Sequence, residues 1–342
     1  MTGAFDRLAT PAATAPGGAD ASTAPATAPT PTGTTASAPG PDVDRDLPLD
    51  AHLHTNLSHD SDVPIDVYCA EAVARGIPEI AITDHVDFDS RAPDHAFASF
   101  ATRERQAREA AARWADSGLR VLFGIEVTYE SHCETEIREH LARYPYDYAI
   151  GSVHVMAYSP YIGERVAGWV AGRTFDEIVG PYFAEVEAAI RSDLFDTIGH
   201  LDYVKKYLVD HVPPSAFAAR PDVYEPLLRA LVETGMGLEV NASGLRQGPG
   251  ETYPPPWAVA RFRELGGTVV TAGSDAHAPS NFAFGLARAY EIAAAAGFEE
   301  LAVRRAPGAP RLPDRVAIPE RLRGPRAGAA GAPSAARPEA GP

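Results

Sequence analysis

The sequence predicts an α/β barrel of parallel strands surrounded by helices and flanked by two disordered tails. Short apolar strand patterns alternate with helical patterns between residues 47 and 305. Several helical patterns stop at glycine, and nearly every strand pattern ends in His, Asp or Glu. Alternating strands and helices imply parallel strands joined by crossover helices. Seven such units favour a barrel related to the eight-fold β/α barrel.

The two ends of the chain differ in composition from this central region. Residues 1–46 consist mainly of Ala, Pro, Thr and Gly, and residues from about 324 onward have a similar composition. Such segments bury too little apolar surface to offset their ordering entropy, so we expect disordered tails. The predicted organisation is therefore a tail at 1–46, a single barrel domain at 47–305, and an extension at 306–342 that is largely disordered from about 324.

Seven strands are predicted from short runs rich in Val, Ile or Leu. In chain order they are Leu47–Leu53, Glu79–Thr83, Arg120–Thr128, Tyr148–Val153, Asp196–Gly199, Met236–Val240 and Thr268–Ala272. Their brevity and lack of polar alternation are typical of strands buried on both faces of a parallel sheet.

Seven helices are predicted between and after these strands. They span residues 64–75, 96–117, 134–143, 174–193, 222–234, 256–265 and 280–297. Four of these patterns are followed at or near their ends by Gly76, Gly118, Gly235 and Gly266, and glycine commonly terminates helices.

Composition restricts the possible partners and the compartment. The formal net charge is −16, which disfavours binding to nucleic-acid backbones or anionic lipid. The two cysteines, Cys69 and Cys133, form no disulfide framework or zinc-finger pattern, and we expect idle thiols in a reducing cytoplasm. No signal-peptide pattern or membrane-length apolar run is visible. The sequence thus predicts a cytoplasmic protein.

Metal-binding residue types recur where the predicted strands end. The residues concerned are His52, His54, His85, Glu126, His154, His200, Asp275 and His277. These include six of the 11 histidines of the chain. Functional side chains of a parallel barrel lie at the carboxyl ends of its strands, so we expect this set to meet at one mouth of the barrel.

The spacing within the set indicates a multinuclear metal centre. Residues i and i+2 of a strand face the same side, so His52 and His54 can form one clamp, and Asp275 and His277 another. Imidazole and carboxylate ligands without thiolate suit Zn²⁺, Mn²⁺ or Fe²⁺. One tetrahedral ion needs three or four protein ligands, so the number of candidates predicts two or three ions.

These residues lie in motifs that resemble the polymerase-and-histidinol-phosphatase (PHP) family over roughly residues 47–305. The motifs are Asp50-Ala51-His52-Leu53-His54, Thr83-Asp84-His85, Gly124-Ile125-Glu126, Ser152-Val153-His154, Gly199-His200 and Ser274-Asp275-Ala276-His277. The resemblance implies a distorted (β/α)7, TIM-like barrel with a trinuclear metal site. A further family ligand follows the first His by eight positions, which implies Asp60; the neighbouring His59 is the competing candidate.

Other segments resemble the histidinol-phosphatase branch of this family. They are Gly199–Lys206, Leu238–Arg246, Ser274–Pro279 and Arg304–Pro307. The chain departs from that branch in its tails and in a longer stretch at Ser159–Arg173. The resemblance implies hydrolysis of L-histidinol phosphate to L-histidinol and phosphate, a step of histidine biosynthesis. The expected partner is a small phosphorylated substrate, with no membrane and with nucleic acid disfavoured, and the oligomeric state is left open.

The expected chemistry is attack on phosphorus by a metal-bridging hydroxide held by His52, His54, Glu126 and Asp275. Metal ions can both activate water and neutralise a phosphate dianion, so no Ser or Cys nucleophile is required. For the phosphate oxygens we expect additional cations: Arg246, and either Lys205 or Lys206. Asp84 and Asp202 are expected to orient ligating imidazoles. The acid that protonates the leaving alcohol is not identified.

Two other functions are compatible with this pattern. One is a PHP phosphoesterase acting on nucleotides or nucleic-acid ends. The acidic body of the chain and the lack of a basic aromatic groove argue against this function. The other is a non-enzymatic metal-binding module, which would be expected to lack ligands, whereas every ligand position is filled.

Overall fold

A near-closed barrel of parallel strands forms the centre of the computed structural model, which describes residues 44–324. Its strands are β1 (Asp50–Leu53), β2 (Glu79–Ile82), β3 (His85–Val86), β4 (Arg120–Thr128), β5 (Tyr148–Ser152), β6 (Thr197–Ile198), β7 (Gly237–Asn241) and β8 (Val270–Gly273). Their order is β1-β2-β4-β5-β6-β7-β8, with β3 paired to β4. A bridge between Leu53 and Ala276 brings the ends of β1 and β8 together. The predicted distorted barrel is confirmed.

Ten α-helices lie in the described part of the chain. They are α1 (Ile65–Arg75), α2 (Phe100–Trp114), α3 (Glu134–Arg143), α4 (Arg165–Val170), α5 (Phe175–Arg191), α6 (Lys205–Leu208), α7 (Pro214–Ala218), α8 (Glu225–Thr234), α9 (Pro256–Glu264) and α10 (Leu286–Ala295). The seven predicted helices correspond to α1, α2, α3, α5, α8, α9 and α10. The short α4, α6 and α7 were not predicted, because a single turn or two carries too little periodicity to be recognised.

Two predicted helices begin too early, and local backbone conformation explains both errors. Helix α2 starts after Ser99, whose side chain accepts a hydrogen bond from the Thr102 amide, while Ala96 has a positive φ of 58°. Helix α10 starts after Gly285, whose φ of 70° is left-handed. An N-cap and a left-handed residue both interrupt the helical path, so the helix begins only beyond them.

Helix α5 begins with a complete capping box. The Thr174 hydroxyl accepts a hydrogen bond from the Glu177 amide, and the Glu177 carboxylate accepts one from the Thr174 amide at 2.8 Å. Both backbone groups would otherwise lack partners at the helix start. This places α5 directly after the Ser159–Arg173 stretch, which contains α4 and packs Tyr161 into the core.

A C-terminal hairpin closes the amino-terminal end of the barrel. It consists of β9 (Glu300–Val303) and β10 (Asp314–Ala317), paired antiparallel. Val303, Leu312 and Val316 join Leu122 and Tyr148 in a buried apolar cluster. The described part of the predicted extension, residues 306–324, therefore packs on the barrel.

The predicted tails fall largely outside the described residues, at 1–43 and 325–342. Cys69 and Cys133 are both buried and neither is in a disulfide. None of the helices between residues 44 and 324 combines the length and the apolar character needed to cross a membrane.

Candidate metal centre

The interior of the barrel changes from apolar to ionisable along the strands. In β4, Leu122, Gly124 and Glu126 share a face because side chains alternate along a strand. Leu122 lies in the apolar cluster of the closed end, whereas Glu126, four residues further on, is fully buried near the open end. The same transition at other strand ends brings all nine predicted ligands to this open end.

Glu126 Oε2 is the point on which three imidazoles converge. It lies 3.2 Å from His52 Nε2, 3.3 Å from His54 Nε2 and 3.0 Å from His85 Nδ1. These four side chains are buried, yet Glu126 Oε2 and His85 Nδ1 have no hydrogen-bond partner within residues 44–324. A buried polar atom without a partner destabilises the folded state, and a bound cation would give such an atom a partner. Its position among ring nitrogens therefore fits a cation-binding site.

The other carboxylate oxygen of Glu126 faces the next two strands. Glu126 Oε1 lies 2.9 Å from His200 Nε2 and 3.4 Å from His154 Nε2. Ser152 donates its hydroxyl hydrogen to the same oxygen at 2.6 Å. Glu126 therefore lies between two groups of imidazoles.

Asp275 completes the group formed by His52 and His54. Its Oδ1 lies 3.4 Å from His54 Nε2 and 3.8 Å from His52 Nε2. The two Nε2 atoms are 3.0 Å apart. Two nitrogens bound to one tetrahedral ion at about 2.1 Å would be about 3.4 Å apart. The separation of these nitrogens is thus close to that of two ligands of one ion.

A third group lies nearer to solvent and contains Asp60. Asp60 Oδ2 is 3.2 Å from His277 Nε2 and 3.6 Å from His85 Nε2. The adjacent His59 instead places Nδ1 2.6 Å from Asp94 Oδ2. Of the two candidates, Asp60 is therefore the residue that meets the other predicted ligands.

Three ligand groups result from these contacts. Within each, the nearest nitrogen and oxygen atoms lie within 4.8 Å of one another: His52 with His54 and Glu126, His85 with Glu126 and His154, and His54 with His85 and His277. Because His54, His85 and Glu126 each belong to two groups, the groups are contiguous. The three groups therefore form one continuous cluster of possible metal ligands.

The charges of the centre shift its pKa values strongly. Burial raises the pKa of Glu126, but the charges of His52, His154 and His85 outweigh burial and hold it well below its usual range. Burial lowers the pKa of His52, but Glu239, Glu126 and Asp275 raise it well above its usual value. The carboxylates thus create a negative potential that favours positive charge on their neighbours.

Sequence reasoning missed Glu239, which holds His52 in place. Glu239 Oε1 lies 2.6 Å from His52 Nδ1, the ring nitrogen that does not face Glu126. Glu239 Oε2 accepts hydrogen bonds from the His200 amide at 2.9 Å and from Asn241 Nδ2 at 3.0 Å. The sequence did contain an indication of this role: Glu239 is an acidic residue inside the largely apolar strand Gly237–Asn241, and a buried carboxylate needs a partner.

Two other imidazoles are also fixed through their second nitrogen. Thr128 Oγ1 lies 2.8 Å from His154 Nδ1, and the carbonyl oxygen of Asp275 lies 3.0 Å from His277 Nδ1. Contacts of this kind set the tautomer and the orientation of a metal-ligating histidine.

The prediction that Asp84 and Asp202 orient ligating imidazoles is wrong. Asp84 accepts hydrogen bonds from the Thr55 amide at 2.6 Å and from the Ser58 hydroxyl at 3.1 Å. Asp202 pairs with Lys205 and accepts a hydrogen bond from the Tyr224 hydroxyl. Asp84 therefore orders the loop after β1, and Asp202 neutralises a buried lysine.

The turn after β8 approaches the centre closely. A Cβ at Gly273 would lie 2.2 Å from the Cβ of His52, so only glycine fits there. Asp275 has a φ of 55°, which is unusual for a residue with a side chain. The Asp50 carboxylate accepts the Ser274 amide at 2.9 Å, and burial raises the pKa of Asp50 to about 6.

A cavity of about 860 Å³ lies at the open end of the barrel. Its charged or imidazole-bearing lining residues are His59, Asp60, His85, Asp87, Arg91, Asp94, His154, His200, Lys206, Arg246, Asp275 and His277. The cavity therefore gives access to the predicted ligands that lie nearest to solvent and combines them with additional cations.

Two of the three predicted phosphate-binding cations line this cavity. Arg246 donates Nη1 to the Ser274 carbonyl at 2.7 Å and Nη2 to the Asp275 carbonyl. Lys206 donates its ammonium to the Tyr203 hydroxyl at 2.6 Å, and burial lowers the pKa of Lys206. Lys205 is buried instead, with Nζ 2.7 Å from both Asp202 and Glu251.

The fold and these side chains define a parallel α/β barrel whose open end is lined by converging imidazoles and carboxylates. The chain belongs to the PHP domain family, whose model matches residues 50–243. It is 31% identical over 252 residues to a probable histidinol-phosphatase of Deinococcus radiodurans, an alignment that covers 70% of this chain and 90% of that protein. It is 26% identical to a histidinol-phosphatase of Lactococcus lactis, covering 74% of this chain and 93% of that one.

Two solved structures resemble the fold. The structure of histidinol phosphate phosphatase from Lactococcus lactis, complexed with zinc, L-histidinol and phosphate, matches with a TM-score of 0.64 and 26% identity, over 75% of this chain and 97% of that one. A putative histidinol phosphatase from Listeria monocytogenes matches with a TM-score of 0.59 and 21% identity, over 68% and 96% of the two chains. The second likeness supports the fold alone.

Proposed function

We propose that this chain is a metal-dependent phosphomonoesterase that hydrolyses L-histidinol phosphate to L-histidinol and phosphate. The observation that carries the proposal is Glu126 Oε2, which has no hydrogen-bond partner among the described residues and lies among three buried ring nitrogens. The cavity above it is also lined by the cationic side chains of Arg91, Lys206 and Arg246. The identity of the substrate is taken from the curated relatives named histidinol-phosphatase, which the chain matches over at least 90% of their length. A cavity of about 860 Å³ is large enough for this small ester.

The nine predicted ligands fit two or three divalent transition-metal ions. In this proposal they are held by three contiguous groups: His52, His54, Glu126 and Asp275; His85, Glu126, His154 and His200; and Asp60, His85 and His277. When bound, such ions lower the pKa of a coordinated water and neutralise phosphoryl oxygens. Zinc is supported by the Lactococcus lactis complex, while the same ligand types also suit Mn²⁺ and Fe²⁺.

Arg246 and Lys206 are the proposed phosphate-binding residues of the chain itself. The carbonyl oxygens of Ser274 and Asp275 hold the Arg246 guanidinium at the cavity wall, so little side-chain freedom is lost on binding. Lys206 adds a second positive charge from helix α6, which follows β6. Lys205 is not part of this proposal, because two carboxylates already neutralise it.

Asp87 is the proposed partner for the ammonium group of the substrate. It lines the cavity and is buried. In the part of the chain that the structure describes, its Oδ1 has no hydrogen-bond partner, whereas its Oδ2 accepts a hydrogen bond from the Asp94 amide at 2.9 Å. A buried carboxylate oxygen without a partner gains most from a cationic donor. An ammonium group distinguishes L-histidinol phosphate from phosphate esters without an amine.

Phosphate release by the purified, metal-loaded protein tests this proposal. We expect L-histidinol phosphate to be hydrolysed with a much higher kcat/KM than AMP or a 5′-phosphorylated oligonucleotide. A preference for the nucleotide or the oligonucleotide would favour the alternative phosphoesterase, which the net charge of −16 disfavours. Release from none of these esters would favour a non-enzymatic metal-binding module.

A genetic experiment tests the same proposal in a cell. The gene should restore growth without histidine to a strain that lacks histidinol phosphatase, and the His52→Ala variant should not. A cytoplasmic location belongs to this proposal, because the reaction would serve histidine biosynthesis.

A further inference from the structure

A second cluster of metal-ligating side chains lies beside the cavity, on a turn that the proposed mechanism does not use. Glu130, His132 and Cys133 form and flank the 3-10 turn between β4 and α3. One carboxylate oxygen, one ring nitrogen and Sγ of these residues lie within 4.8 Å of one another. We propose that this cluster, together with Asp89, is a separate binding site for a divalent transition-metal ion such as Zn²⁺.

The thiol provides the strongest support for this site. Cys133 is only 6% exposed, it is not in a disulfide, and its Sγ makes no hydrogen bond to any residue of the described chain. The sulfur nevertheless lies beside Glu130 and His132 rather than pointing away from them. A buried thiol next to an imidazole and a carboxylate matches the ligand chemistry of Zn²⁺, whereas hard ions such as Mg²⁺ prefer oxygen alone.

Asp89 provides a fourth ligand from a different loop. Its Oδ2 lies 3.0 Å from His132 Nε2, so a small movement of the ring would allow both to reach one ion. Asp89 is 7% exposed and now pairs with Arg91, whose guanidinium lies 3.9 Å from the centre of the Tyr158 ring. Arg91 partly offsets the negative charge, which favours a site weaker than the centre around Glu126.

The turn is accessible to an ion from solution. The His132 side chain is 57% exposed, and the Glu130 carboxylate is partly exposed and accepts a hydrogen bond from Tyr158. Binding would transfer the Cys133 thiol proton to solvent and form a metal–thiolate bond. The ion would join the turn before α3 to the loop that carries Asp87 and Arg91 on the cavity wall.

Cobalt titration of the full-length protein distinguishes this site from the centre in the barrel. The nine ligands around Glu126 include no sulfur, so only a thiolate ligand can give a thiolate-to-Co²⁺ charge-transfer band in the near ultraviolet. We expect this band to appear on addition of CoCl₂, to persist in Cys69→Ser and to disappear in Cys133→Ser. The visible bands of the other centre should remain in both variants.

Two further measurements keep the test decisive. Hydrolysis of phosphate esters by Cys133→Ser should match the unaltered protein, which shows that the variant is folded. His132→Ala, at an exposed position, should weaken the cobalt affinity measured from the band by about tenfold or more. The proposal is overturned if the unaltered protein shows no charge-transfer band, or if the band survives in Cys133→Ser.

Discussion

Three imidazoles of the metal centre are each held by a second polar group that fixes the rotation of the ring. His52 has Glu239, His154 has Thr128, and His277 has the backbone carbonyl of Asp275. A ring that is oriented in advance loses little entropy when it binds an ion. At the scale of single residues, the orientation of these three ligands therefore depends on groups outside the set of nine ligating side chains.

Glu239→Gln should weaken metal binding without changing the fold. The substitution keeps the shape but removes the charge that holds His52 Nδ1, so we expect about 10- to 100-fold lower metal affinity. Metal content after dialysis against a chelator, and phosphatase activity against metal concentration, measure the effect. The control is Glu233→Gln, whose side chain is 61% exposed and pairs with Arg191. Equal metal retention in the two variants would contradict this role of Glu239.

Asp87→Asn should reduce the preference for an amine-containing substrate. The asparagine retains an oxygen for the Asp94 amide but loses the charge that is proposed to bind an ammonium group. A charge-assisted hydrogen bond of about 1.5–3 kcal/mol corresponds to a roughly 10- to 100-fold higher KM for L-histidinol phosphate. Kinetics with p-nitrophenyl phosphate, which has no amine, provide the control. A similar loss with both substrates would assign Asp87 to the metal centre or to folding instead.

At the scale of elements, helix α3 carries a histidine whose protonation opposes folding. His140 packs against Phe88 and Tyr144 and places Nε2 2.9 Å from the Tyr146 hydroxyl. Burial, with the positive charges of Arg103 and Arg143, lowers the pKa of His140 from 6.5 to about 4. The helix is therefore packed against the barrel through a neutral ring.

The free energy of unfolding should fall as the pH falls from about 6.5 to about 4, because the unfolded chain binds a proton that folded His140 does not. The full shift corresponds to about 3 kcal/mol, and partial exposure reduces the expected effect to about 1–2 kcal/mol. His140→Gln removes this titration, so urea unfolding at pH 7 and pH 4.5 should differ less in the variant. The same difference in both proteins would show that other groups set the acid sensitivity.

At the scale of the whole molecule, the two ends of the barrel have different roles: one carries the candidate metal ligands and the other contributes to stability. The open end holds the ionisable groups, and the closed end is filled by the β9–β10 hairpin. Arg304 and Arg305 extend from the hairpin to Asp196, at the start of β6, and to Glu79, in β2. A change at the closed end should therefore alter stability without altering the chemistry.

Arg304→Ala should destabilise the fold and leave kcat unchanged. The Arg304 and Asp196 side chains are 14% and 6% exposed, so removing the arginine leaves a carboxylate buried without its partner. We expect a loss of about 2–4 kcal/mol in urea unfolding. Arg229→Ala, which removes a surface pair with Glu225, should leave the free energy of unfolding almost unchanged, because water screens exposed ion pairs. A lower kcat in folded Arg304→Ala would contradict the separation of the two ends.

The strand–helix order and the helix stops were predictable because they depend on neighbours in the chain. Gly76 and Gly235 end α1 and α8 in left-handed conformations, as their glycine pattern predicts. The hairpin was not predicted, because its strands are buried by contacts with the barrel floor rather than by their own pattern. The domain boundaries at 47 and 305 stay a prediction.

The sequence alone determined the barrel class and eight of the residues that meet at its open end, because both follow from local periodicity and from where strands stop; the ninth, Asp60, was implied by the family resemblance. Only the tertiary structure decided which polar groups pair with them. His52 and Glu239 are 187 residues apart in the chain and 2.6 Å apart in the fold. The neighbouring Lys205 and Lys206 differ only in what surrounds them, since one contacts two carboxylates and the other lines the cavity. Such contacts depend on how distant segments pack, which no local pattern encodes.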